Sequence, residues 1–132
     1  MELKSKAKHI DNTFFKSHYK IILCKSEKDF YIELKKHKVP FKLYSEWLPE
    51  DAGAYTHGIN LPSVNKKTQK RFIIICIKPK EKEWERFLIH EAVHIFRSEM
   101  TLIEEKNPSE EFECYSVEEI AINLIDAYRD KK

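Results

Sequence analysis

The run Arg71–Ile77, RFIIICI, constrains the fold more than any other part of this chain. Six consecutive apolar residues, four of them isoleucine, leave no polar face. A segment of this kind is expected as a central strand buried on both sides. Pro79 ends it, because proline cannot donate to a continuing ladder. Two further runs read as partners. Tyr19–Cys24, YKIILC, is short and β-branched, and Ala54–Leu61, AYTHGINL, alternates polar and apolar residues with a break or bulge expected at Gly58. Phe41–Leu48 reads as a fourth strand, with Phe41, Leu43 and Trp47 on one face, and Pro49–Gly53 (PEDAG) as the turn after it. A polar loop containing Pro62 and Lys66–Lys70 precedes the central run.

Helix signals separate and follow these strands. Ser26 begins S-E-K-D, an N-cap with an acidic third residue, and the helix it starts is expected to reach about His37 before Pro40. A second helix is expected from about Glu81 to Arg97, with acidic residues in its first turn. For the last helix, Asn107 is the expected N-cap, Pro108 the first helical residue and Glu110 the third. Its apolar stripe is Val117, Ile120, Ala121, Leu124, Ile125 and Tyr128. Residues 4–17 favour helix slightly, and 1–18 are expected to be a loosely packed segment. The reading is a single α+β domain over 1–132, in which a small mixed or antiparallel sheet packs against the last two helices.

Composition excludes several classes. Lys and Arg number 24 against 22 Asp and Glu, a net charge of +2, so charge gives no argument for nucleic acid or an acidic membrane. The two glycines, Gly53 and Gly58, rule out a glycine-rich phosphate loop. Three dispersed cysteines form no CxxC pair and suit free thiols in a reducing compartment, with Cys24 and Cys76 as small core residues. The N-terminus lacks the apolar stretch of a signal peptide, and no run approaches a membrane span. A soluble cytoplasmic protein is expected. Trp47 and Trp84 are expected in the core.

The chemistry concentrates in HEAVH. His90 and His94 are four apart and share a helix face, so both imidazoles are able to bind one zinc ion. Glu91 lies beside them, placed to act on a metal-bound water rather than to ligate. Such a zinc lowers the pKa of its water to about 7, and the carboxylate takes the proton as the water attacks a carbonyl. The same carboxylate then delivers the proton to the leaving amine. The apolar surroundings, from Phe87 to Phe96, make an idle His-Glu-His set costly. A third protein ligand is needed, and no His follows His94. The acid-rich start of the last helix is the natural donor, where Glu110, Glu111 and Glu113 are adjacent candidates.

HEAVH followed by EEFECY resembles the small zinc metallopeptidases of phages and prophages, zincins whose third ligand is Glu. It is similar, more distantly, to ImmA/IrrE-type peptidases. The resemblance covers roughly residues 71–128. It implies a minimal zincin-like domain and a zinc metallopeptidase acting on a peptide or protein, with Glu91 as general base. Nucleic acid and membrane partners are not expected. It assigns the third ligand to Glu111, whereas the helical wheel places Glu110 nearer the apolar stripe. Cys114 stands where the family carries a small residue and is expected to pack. Zincins of this type lay an extended substrate along an edge strand, a role the resemblance gives Ala54–Leu61. Tyr115, His57 and Tyr55 are then candidates for stabilising a developing oxyanion. The alternative is a non-catalytic zincin-fold module that binds a host factor, although a purely structural metal site has no use for Glu91. SprT-like zincins, which act at DNA, carry a third His ligand, and no His follows His94 here.

Overall fold

A computed structural model describes residues 4–12, 17–40, 44, 46–61 and 70–129. Among them are the strands β1 (Lys8–Ile10), β2 (Lys20–Cys24), β3 (Ala54–Leu61) and β4 (Lys70–Ile77). The helices are α1 (Glu27–Lys36), α2 (Trp84–Leu102) and α3 (Glu110–Tyr128). The architecture is α+β, with one small mixed sheet in the order β1-β2-β4-β3. β2 and β4 run parallel, with Ile21 opposite Ile73 and Cys24 opposite Cys76. The outer strands β1 and β3 are antiparallel to their neighbours.

The expected central strand is central. Ile73 to Ile77 are at most 1 % exposed, because alternate side chains enter two different cores. Ile73, Ile75 and Ile77 join Ile21 and Leu23 beneath α2 and α3. Phe72, Ile74 and Cys76 join Ile22, Cys24 and Ile59 beneath α1 and Leu48. Each fully buried aliphatic side chain contributes roughly 2 kcal/mol of transfer free energy. Cys24 and Cys76 therefore act as small apolar residues, and burial pushes both thiols up.

The first helix is capped as read, with the Ser26 hydroxyl accepting from the Asp29 amide at 3.1 Å. On α3, Ile120, Ala121 and Leu124 are buried, and Val117, Ile125 and Tyr128 pack against them. Trp84 stacks on Tyr128 with ring centroids 4.4 Å apart, at the edge of the same core.

Five expectations need correction. The segment favoured as a loose helix contains β1, whose Ile10 is 8 % exposed and pairs with Ile21, so sheet pairing overrides a weak local preference. The cap of α3 is Ser109, whose hydroxyl accepts from the Phe112 amide, so the helix starts two residues later than the Asn107 cap implied. α2 spans Trp84–Leu102 instead of Glu81–Arg97, a shift toward the C-terminus at both ends. β3 is unbroken at Gly58, which sits in register opposite Ile73. For the expected strand at 41–48, Phe41, Lys42, Leu43 and Ser45 lie outside the described residues, and Tyr44 and 46–48 are not strand. Of the expected loop, 62–69 also lies outside them.

The turn before β3 brings backbone against a ring. A Cβ built on Gly53 would lie 2.1–2.5 Å from three ring carbons of Phe87, far inside van der Waals contact. Gly53→Ala should destabilise the protein by about 1–3 kcal/mol, through overpacking. Urea unfolding checks this, and the loss should shrink in a Phe87→Leu background. Unchanged stability in Gly53→Ala would show that the ring yields freely.

Candidate functional site

α2 lies on the sheet with Leu88, Glu91, Ala92, Ile95, Phe96, Glu99 and Met100 buried. This stripe follows the helical repeat, and it leaves His90 and His94 exposed on another flank. Their Nε2 atoms face each other at 3.1 Å. The rings meet edge to face with centroids 4.8 Å apart. Two nitrogen ligands at about 2.05 Å on a tetrahedral zinc would lie about 3.3 Å apart. The imidazole pair therefore already has close to the spacing that one ion requires.

Glu91, the residue after His90, turns toward the sheet. It is 6 % exposed, and its Oε2 accepts a hydrogen bond from the Thr56 hydroxyl on β3. Thr56 thus satisfies a buried carboxylate that would otherwise be costly, and it fixes the rotamer of the group. The sequence reading missed Thr56. Its signal was the period-two alternation of AYTHGINL, which becomes informative once it is known which face meets α2.

That alternation also decides Tyr55 and His57. Both occupy the β3 positions that face away from α2. His57 is buried, lies with its ring tilted 4.6 Å from that of Phe30, and donates from Nε2 to the Trp47 carbonyl at 3.0 Å. Tyr55 touches His57 on the same side. Neither is positioned to serve a reaction at Glu91, because a sheet separates them from it. Tyr115 is exposed on α3. Cys114 is also exposed, so it does not fill the packing role expected of it.

The acidic candidates at the start of α3 are not gathered with the histidines. Glu110 and Glu111 are exposed, and Glu113 pairs with Arg97 at 2.6 Å. Among the described residues, no group of three or more His, Cys, Asp or Glu is assembled to hold a metal ion. The nitrogen donors fit zinc, and the acidic candidates stand at the start of the helix that packs on α2.

A second polar cluster occupies the far end of α2. Glu99 is 1 % exposed and accepts from the Ser17 hydroxyl at 3.0 Å, the His18 amide and His18 Nδ1. It ties the chain before β2 to the helix. No helix among the described residues is long and apolar enough to cross a membrane. No family model, curated protein or solved structure matches the chain.

Burial lowers the pKa of His57 below 6.5, and the Trp47 hydrogen bond offsets part of that effect. His37 moves the same way, with burial outweighing the nearby Glu33. As pH falls through about 6.5, the unfolded chain therefore takes up protons first, and the folded state loses stability. Denaturant unfolding should show a lower free energy at about pH 5.5 than at about pH 7.5. His57→Gln should flatten part of that slope, and an unchanged slope in this variant would remove His57 as its source.

Proposed function

We propose that this protein is a zinc-dependent hydrolase, a metallopeptidase of zincin-like architecture that cleaves a peptide or amide bond. The observation that carries this reading is the pair of His90 and His94 nitrogens facing each other at 3.1 Å, one residue from a carboxylate fixed against the sheet. When bound, zinc would supply an acidified water and a Lewis acid for the carbonyl. His90 and His94 would hold it, with Glu111 as the third ligand that the sequence motif favours.

The chain's own residues have separable tasks. Glu91 accepts the proton of the attacking water and returns it to the leaving nitrogen. Thr56 orients Glu91 through Oε2 and leaves Oε1 for that transfer. β3 is an edge strand among the described residues, so its outer backbone groups suit pairing with an extended peptide.

Elemental analysis should find about one zinc per chain, and His94→Ala should abolish it. Glu91→Gln should keep the zinc and lose peptide turnover, since the amide cannot accept a proton. Thr56→Val should retain zinc and lower kcat by about tenfold or more, with little change in KM. A chain that binds no transition metal would sink the proposal. Zinc binding with no turnover of any peptide library would favour the binding module over the enzyme.

The third ligand is tested separately. Glu111→Ala should weaken zinc binding by about tenfold or more, the scale of losing one coordinating group, and Glu110→Ala and Glu113→Ala should weaken it much less. Zinc competition with a chromogenic chelator reads this directly. A dominant effect of Glu110 or Glu113 would move the assignment to that residue.

A further inference from the structure

A wide cavity opens at the carboxyl ends of the two parallel strands. Lys25 and Ser26 follow β2, Pro79 follows β4, and residues 4–8 complete the wall. It measures about 800 Å³, within the range of small-ligand sites. Topology puts it there. β2 feeds α1 on one face of the sheet, and β4 feeds α2 on the other. The chain therefore leaves adjacent parallel strands in opposite directions, and a crevice remains between the departures. Open sheets with helices on both faces bind ligands at such switch points.

The lining is strongly cationic. Among the described residues that line it, Lys4, Lys6, Lys8, Lys25 and Lys28 are basic and Asp29 is acidic. Lysine thus predominates among the described lining residues, in a chain whose total charge is +2. Asp29 is buried and already engaged, accepting from the Lys6 amide at 3.1 Å and so holding the wall against α1. Lys25 donates from Nζ to the Tyr128 carbonyl at 2.9 Å, which fixes its charge in place. The Ser26 hydroxyl caps α1, so the lysines rather than the helix end supply the attraction.

Like charges such as those of Lys4, Lys6 and Lys28 around one cavity repel, and a bound anion relieves that repulsion. Among the described residues no aromatic side chain lines the cavity, so none of them stacks a base or a sugar there. Lysines are compact charges on flexible stems, suited to a run of phosphates rather than to one planar carboxylate. His90, Glu91 and His94 do not line this cavity.

We propose that the cavity binds a small anion carrying several phosphates in succession, either free tripolyphosphate or the phosphate chain of a nucleotide. The test is calorimetric titration of the full-length protein with tripolyphosphate, with a chelator present so that phosphate held through a metal is not counted. Saturable binding of about one anion per chain is expected, weakening as salt is raised. The double variant Lys4→Glu/Lys28→Glu should lose affinity about tenfold or more, since it reverses two of the lining charges. Lys35→Glu/Lys106→Glu makes the same charge change at exposed sites elsewhere and should stay within about twofold. If the first double variant does not fold, Lys28→Gln replaces it, with a smaller loss expected in the same direction. ATP binding as tightly as tripolyphosphate would support the site and identify a nucleotide as a source. Absent binding at low salt, or equal losses in both double variants, would overturn it. So would binding of a mixed-sequence oligonucleotide without binding of tripolyphosphate.

Discussion

The parallel pairing of β2 with β4 is the contact on which the rest of the structure depends. Both strands are buried on both faces, so neither is stable until a layer covers each side. α1 supplies one cover, and α2 with α3 supplies the other. The same pairing sends the chain out to opposite faces, which opens the lysine-lined cavity at the strand ends. It also presents β4 as the base on which β3 forms the outer edge. The placements of α2 and β3 are thus consequences of one buried ladder.

On that frame, α2 divides its work by helical phase. One stripe buries Leu88, Ala92, Ile95 and Phe96, and a carboxylate at position 91 enters the same stripe. A charged group there is tolerable because Thr56 meets it from β3. The histidines fall outside the stripe, free to approach each other. Glu91 is thereby held still by the core, while His90 and His94 face solvent, where a ligand is able to reach them.

Elements with strong periodicity were legible in the sequence. RFIIICI has no polar face, and α3 repeats its apolar residues at helical spacing, so both were found with their burial. β1 was not legible, because a three-residue strand with one buried side chain carries no pattern, and its existence rests on Ile10 meeting Ile21. Asn107 and Ser109 are both good caps and Pro108 is compatible with the first, so local chemistry alone does not decide where α3 starts. HEAVH could be read as a histidine pair because i, i+4 spacing fixes geometry locally. The third ligand could not, since it depends on how two helices approach in space. His57 and Tyr55 were attractive as residue types, and only the face that meets α2 sets them aside.

The long separation of β2 and β4 in the chain has a kinetic consequence. Ile21 and Ile73 are paired across 52 residues, whereas Leu61 and Lys70 close the β3–β4 hairpin across only nine. Loop-closure entropy grows with the logarithm of length, so the parallel pairing costs about 1.5 kcal/mol more to close than the hairpin. The hairpin is therefore the cheaper of the two pairings to close, and where it closes first β2 has still to join it. Until then one side of β4 is an uncovered apolar edge, the part of this chain most open to pairing with a second molecule during refolding.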